Sequence, residues 1–83
     1  MDVDWARAEE MALTLMFLTT FDERGVTRTW KGYDWELLRR LHEKGYISNP
    51  VGKAKSVVLT DEGRALSEEL FRKHLGMGSR GHS

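Results

Sequence analysis

The sequence predicts a small α+β fold with the order helix, short helix, helix, two-stranded hairpin and helix. Two observations carry this prediction. Three stretches with helical spacing of apolar residues each follow a side chain that can cap a helix, and one stretch before the last helix alternates with the period of a strand. The chain has 83 residues, 40% of them hydrophobic and 31% charged, which is typical of one globular domain. We expect this domain to span residues 1–76 and a disordered tail to span residues 77–83, which lack an apolar run.

The helices are placed by their capping residues. Asp4, Asp34 and Thr60 each stand before a predicted helix, where a side-chain oxygen can accept a hydrogen bond from a free first-turn amide. A shorter helix is expected after a turn at Gly25. The predicted helices are 5–21, 27–31, 35–44 and 61–75.

The hairpin is predicted between the last two helices. Residues 46–48 form its first strand, residues 49–52 (Asn-Pro-Val-Gly) have turn chemistry, and residues 55–60 alternate between two faces. Gly45 stands where a left-handed residue ends a helix. Gly63 permits a close approach between the last helix and the hairpin.

The order of these elements resembles that of known regulators. Residues 41–47 read Leu-x-x-Lys-Gly-Tyr-Ile, and residues 58–63 read Val-Leu-Thr-Asp-Glu-Gly. Residues 34–70 thereby resemble the second half of winged-helix transcription regulators of the MarR and PadR type. The resemblance implies a small winged-helix fold in which the hairpin is the wing. It also implies a DNA-binding transcriptional regulator.

Nearly the whole chain is similar to a family of small bacterial proteins catalogued as a domain of unknown function. Residues 29–35, 41–45 and 52–56 carry this similarity. It implies no particular activity.

The charges of the chain are unevenly distributed. The net charge is zero, but residues 1–23 contain six acidic residues and one Arg, whereas residues 24–55 contain eight basic and three acidic residues. A basic surface of this kind suits an anionic partner. Alternatively, the two segments offset each other within the fold or across a dimer.

Duplex DNA is the most concrete partner that the sequence suggests. In winged-helix proteins the helix before the wing enters the major groove, and the wing contacts phosphates. Basic side chains in and around these elements would release counterions from DNA. The candidate nucleic-acid-binding residues are Arg28, Lys31, Arg39, Arg40, Lys53 and Lys55.

A protein-interaction or dimerisation module without nucleic-acid binding is the alternative. Few residues separate the first helix from Asp34, so a complete helix-turn-helix hardly fits, and the helix after Asp34 presents mixed charges. The first helix is apolar on more than one face, which favours a homodimer. Its expected dimer interface comprises Met11, Leu15 and Leu18. Another protein is a further possible partner.

The two central tryptophans have two interpretations. Trp30 and Trp35 can stack on a base or line a ligand site, but Trp in so small a domain more often belongs to the core. We expect Trp35 in the core and leave Trp30 open.

Catalysis and metal binding find little support in the sequence. The chain has no Cys, and His42, His74 and His82 lack the spacing of zinc ligands. Residues 52–56 depart from the phosphate-binding loop pattern. We therefore expect no enzyme activity, no metal and no cofactor. The apolar run 11–21 is shorter than the roughly 20 residues of a membrane span, so we expect no contact with membranes. The lack of Cys suits a reducing compartment, and we expect a cytoplasmic protein.

Overall fold

The computed structural model describes residues 1–76, which form three helices packed on a three-stranded antiparallel sheet. The sheet has the order β1-β2-β3, with β2 in the centre. This confirms the small α+β fold, while the predicted disordered tail 77–83 lies outside the described residues. The helices are α1 (Trp5–Leu18), α2 (Trp35–Glu43) and α3 (Asp61–Leu75), and the strands are β1 (Phe21–Glu23), β2 (Val26–Trp30) and β3 (Ser56–Val58).

All three predicted helix caps are present. The Asp4 carboxylate accepts from the amide of Arg7 at 3.0 Å, and the Thr60 hydroxyl accepts from the amide of Gly63 at 3.0 Å. The Asp34 carboxylate accepts from two amides of the first turn of α2, at 3.0 and 3.3 Å. Each helix therefore begins where the short polar side chain satisfies its free amides.

The core lies between the helices and one face of the sheet. Thr29 of β2 and Val57 of β3 are neighbours in the register, and both side chains are fully buried on this face. Among residues 1–76, no helix is long and apolar enough to cross a membrane. The buried apolar residues are Ala12, Leu13, Met16, Leu37, Leu38, Leu41, Ile47, Val57, Leu59 and Leu70.

The short helix predicted at residues 27–31 is wrong, because this segment is strand β2. Arg24 and Gly25 both have positive φ, of 53° and 84°, and they join Glu23 to Val26 as a two-residue hairpin loop. Positive φ at both loop positions matches the right-handed twist of paired strands. The predicted first helix also ends early, at Leu18, so that the next residues can enter the hairpin. The predicted helix–short helix–helix order is therefore replaced by helix–hairpin–helix.

The first strand of the predicted wing is reduced to one bridge. Ile47 pairs with Leu59, and the amide of Ser48 donates to the carbonyl of Val58 at 2.9 Å. Strand β3 instead pairs along its length with β2. The unpredicted strand β2 pairs with all three residues of β3, and Pro50, three residues after Ile47, lacks an amide hydrogen for further pairing.

The start of α3 lies directly against Tyr46, the first residue of the predicted hairpin, as expected from Gly63. Gly45 has a φ of 81° after the C-cap residue Lys44. A Cβ atom added to Gly63 would lie 2.0 Å from the carbonyl oxygen of Tyr46. Only a glycine allows this approach.

The prediction that Trp35 belongs to the core is wrong, because its side chain is 54% exposed. Trp35 is the first residue of α2. At 100° per residue it lies about 110° from the mean direction of the three buried leucines of this helix. Its position on the helix therefore points the indole away from the core.

Candidate nucleic-acid interface

The face of the sheet opposite the core carries aromatic and basic side chains. Arg28 pairs with Phe21 on one side and with Val58 on the other, and Trp30 pairs with Ser56. Since alternate residues of a strand share a face, these residues lie opposite the buried Thr29–Val57 pair. We call this surface the outer face, which comprises Phe21, Glu23, Val26, Arg28, Trp30, Ser56 and Val58.

Two aromatic rings lie together on the outer face. The ring centroids of Phe21 and Trp30 are 5.1 Å apart, with the ring planes inclined by 38°. This separation is typical of a favourable aromatic pair. The Trp30 side chain remains 54% exposed, so a planar ligand can still reach its surface.

Arg28 is held beside the aromatic pair by bonds to a neutral residue. Its Nε donates to the hydroxyl of Ser56 at 2.8 Å, and its Nη2 donates to the Ser56 carbonyl at 3.2 Å. The carboxylate of Glu23 lies 3.9 Å from Nε and is 62% exposed. An exposed contact of this length compensates the guanidinium charge weakly.

A basic loop, residues 49–55, borders the outer face. The ammonium of Lys31 donates to the carbonyls of Pro50 at 2.7 Å and Gly52 at 3.0 Å. The amide of Lys31 also donates to the carbonyl of Lys55 at 3.1 Å. Lys53 and Lys55 are exposed, and within residues 1–76 neither has an ion-pair partner. Lys31 thus shapes the loop, while the other two lysines extend into solvent.

The positive charge of the described chain is concentrated on the sheet and its loops. Residues 21–33 and 49–58 together contain five basic and two acidic side chains. In each of the three helices, by contrast, the acidic residues equal or outnumber the basic ones. The sheet region is therefore the basic side of the domain.

The two arginines predicted on the DNA-contacting helix are neutralised within α2. Arg39 forms ion pairs with Glu36 at 2.5 Å and with Glu43, and Arg40 donates to Glu36 at 2.8 Å. Arg40 also lies over the ring of Trp5, 4.8 Å from its centroid. The hydrogen bond from Arg39 lowers the pKa of Glu36, and the same contact raises the pKa of Arg39. The exposed surface of α2 thus has balanced charge.

The six predicted binding residues therefore fall into two groups. Arg28 lies on the outer face, Lys53 and Lys55 lie in the basic loop that borders it, and the ammonium of Lys31 is bonded to that loop. The arginine pair of α2 belongs to a separate ion-pair cluster. Sequence reasoning missed Phe21, which it placed at the end of a helix. The Arg24-Gly25 pair between β-branched and aromatic residues was the signal that could have located it.

The three residues of the expected dimer interface are all exposed on α1. Met11, Leu15 and Leu18 are 58%, 47% and 60% exposed. Met11 and Leu15 also line a groove of about 240 Å³ with Leu75 of α3. Within residues 1–76, α3 borders this apolar stripe at Leu75 but does not cover it.

Comparisons with known proteins identify relatives without an assigned activity. Residues 4–77 match the family model DUF6429, which is described as a domain of unknown function. The uncharacterized protein y4hR of Sinorhizobium fredii (strain NBRC 101917 / NGR234) is 49% identical over 73 residues, which cover 88% of this chain and 95% of the relative. No solved structure matches. The similarity to a small bacterial family is therefore confirmed, and the winged-helix assignment stays a prediction.

Proposed function

The chain belongs to the DUF6429 family, a domain of unknown function, and we propose that it binds nucleic acid through the outer face and the basic loop. The observation that supports this role is the concentration of weakly compensated positive charge on the sheet. Arg28 and Lys31 bond mainly to neutral groups, so their charges remain available. Lys53 and Lys55 extend the same charge into solvent. When such a surface binds a nucleic acid, the counterions around the phosphates are released, and this release favours binding.

The winged-helix relationship is part of this proposal. Residues 46–60 correspond to the wing, which in winged-helix regulators contacts phosphates. The proposal differs from the usual docking of these regulators at α2, whose charge-balanced surface suits a major groove poorly. We therefore assign the contact to the sheet and the loop. A role as a small transcriptional regulator would follow from such binding.

The experiment is a titration of the protein against a fluorescein-labelled DNA duplex that carries a single-stranded overhang, followed by anisotropy. We expect binding at about 50 mM salt that weakens steeply at about 200 mM. The double variant Lys53→Gln/Lys55→Gln should lower the slope of log affinity against log salt by about one for each lysine removed.

The matched control is Arg72→Gln/Lys73→Gln on α3, which changes the net charge equally at exposed positions. This variant should leave both affinity and salt slope close to those of the unmodified protein. Absence of binding at the lower salt concentration would contradict the proposal. Equal losses in the two double variants would contradict the assignment of the contact to the basic loop.

The apolar stripe of α1 supports a second candidate function, homodimerisation as an interaction module. The spacing of Met11, Leu15 and Leu18 is nearly symmetrical about Leu15. A two-fold axis at Leu15 would place Met11 of one copy against Leu18 of the other, which makes the surface self-complementary. A second copy would remove these three apolar side chains from water, which favours association.

Size-exclusion chromatography with light scattering tests this candidate. The dimer has twice the chain mass of 9.6 kDa, and Leu15→Glu should shift it to the single-chain mass. Val51→Glu is the control, because Val51 is 67% exposed in the basic loop. A single-chain mass for the unmodified protein at high concentration would exclude the homodimer.

A further inference from the structure

The outer face has a feature that phosphate binding alone does not require. Phe21 and Trp30 form an aromatic pair with an exposed indole, and Arg28 lies next to them in the same strand pairing. In duplex DNA the faces of the bases are stacked on each other and cannot contact a protein ring. An unstacked base, however, gains about 1–3 kcal/mol by stacking on an aromatic side chain.

The spacing of the outer face also favours separated bases. Successive outward residues of β2 are about 6.6 Å apart, since each residue of a strand rises about 3.3 Å. Bases stacked in a duplex lie about 3.4 Å apart along one strand. A nucleic-acid strand whose successive nucleotides contact Arg28 and Trp30 must therefore be extended, with its bases unstacked.

The guanidinium of Arg28 is placed where it can donate hydrogen bonds to an unstacked nucleic-acid strand. Its two bonds to Ser56 fix the group across the β2–β3 pair, and its side chain is 21% exposed. Within residues 1–76 its Nη1 has no hydrogen-bond partner, so both N–H groups of this nitrogen remain for a phosphate or a base edge. The basic loop lies at the end of β2 beyond Trp30, where it can hold the following phosphates.

We propose that the outer face binds a single-stranded nucleic acid, with a base stacked on Trp30 beside Phe21 and with the flanking phosphates on Lys53 and Lys55. This inference rests on the proposed function and specifies its ligand.

The test compares three labelled probes at about 50 mM salt: oligo-dT of roughly 12 nucleotides, oligo-rU of the same length, and a blunt duplex. We expect oligo-dT to bind about tenfold more tightly than the blunt duplex. Trp30→Ala should weaken oligo-dT binding at least about fivefold, and Trp30→Phe should retain most of the affinity because it keeps a stacking ring.

Trp35→Ala is the matched control, because Trp35 is exposed to the same 54% as Trp30 but lies on α2. It should change affinity less than about twofold. In the intrinsic fluorescence, oligo-dT should quench the emission of the Trp35→Phe variant and quench that of Trp30→Phe much less. This signal reports stacking at Trp30 and does not depend on the stability of the alanine variant.

The outcomes separate this inference from the proposed function. Equal or tighter binding of the blunt duplex, or equal effects of the two alanine variants, overturns the single-strand inference and leaves the proposed function standing. We expect oligo-rU also to bind more tightly than the blunt duplex, and the ratio of the two single-strand affinities identifies the preferred sugar. Failure of all three probes and of the overhang duplex overturns both proposals.

Discussion

Substitution of Gly63 by Ala tests how the fold joins α2, the sheet and α3. Gly63 lies in the first turn of α3, where its Cα approaches the backbone of Tyr46. An added Cβ would lie 2.0 Å from the Tyr46 carbonyl oxygen and 2.8 Å from its carbonyl carbon, whereas ordinary contact begins at 3.4 Å. Both neighbours are backbone atoms, so no side chain can rotate away. The helix and the segment after α2 must therefore separate by more than 1 Å.

This separation breaks specific bonds. The amide of Thr60 donates to the Tyr46 carbonyl at 3.1 Å, and the Thr60 hydroxyl donates to the Gly45 carbonyl at 2.6 Å. Each is worth about 1 kcal/mol net, and the overpacking itself costs about 1–3 kcal/mol. The gain in helix propensity from Gly to Ala is at most about 1 kcal/mol. We therefore expect Gly63→Ala to lower the free energy of unfolding by about 2–4 kcal/mol.

Urea unfolding followed by far-UV circular dichroism measures this effect. For a domain of this size the same change in free energy corresponds to a fall in Tm of roughly 10–30 °C. Gly32→Ala is the matched control, since its added Cβ meets nothing within 4 Å and its φ is not positive. It should change stability by less than about 1 kcal/mol. A Gly63→Ala protein as stable as the unmodified one would refute the argument from close approach.

Two further predictions concern charged pairs. Hydrogen bonding to Arg39 lowers the pKa of Glu36 below its ordinary 4.5, so the unfolded state binds the proton more readily than the folded state. The contribution of this carboxylate to stability is therefore present above pH 4.5. It is lost as the pH falls through the lowered pKa. Glu36→Gln should therefore flatten the dependence of the urea midpoint on pH in the acidic range, and an unchanged dependence would contradict this. The Glu9 side chain is 5% exposed, and its described ion-pair partner is the ammonium of Lys44. In urea unfolding, Lys44→Ala should destabilise the fold by about 1–3 kcal/mol, because it leaves the carboxylate of Glu9 buried without its partner. The double variant Glu9→Gln/Lys44→Ala should recover part of this loss. Equal losses in the single and the double variant would contradict the pairing.

Local capping signals were the most reliable part of the sequence analysis. Asp4, Asp34 and Thr60 cap the helices as predicted because a cap depends on groups within one turn of the chain. Gly63 was also interpreted correctly, since few other reasons place a glycine in the first turn of a helix. These features need no knowledge of distant partners.

The site was harder to predict because it depends on pairing across the chain. The pattern around Arg24-Gly25 contains the signal for a hairpin, but the short strand β1 is only three residues long and its Phe21 continues the apolar run of α1. The ion pairs of Arg39 and Arg40 lie at helical spacing and were predictable, whereas the bonds from Arg28 to Ser56 join residues 28 positions apart. Only the sheet register brings these groups together.

The core of the domain determines which side chains form the outer face. Thr29 is fully buried, and its hydroxyl donates to the carbonyl of Met16 at 3.2 Å and lies 3.0 Å from the hydroxyl of Thr19. These bonds fix β2 against the end of α1. A slip of one residue would expose Thr29 and bury Arg28 without a partner, at a cost of several kcal/mol. The register that satisfies the core therefore also holds Arg28 and Trp30 outward, so the proposed binding surface is ordered before any ligand arrives.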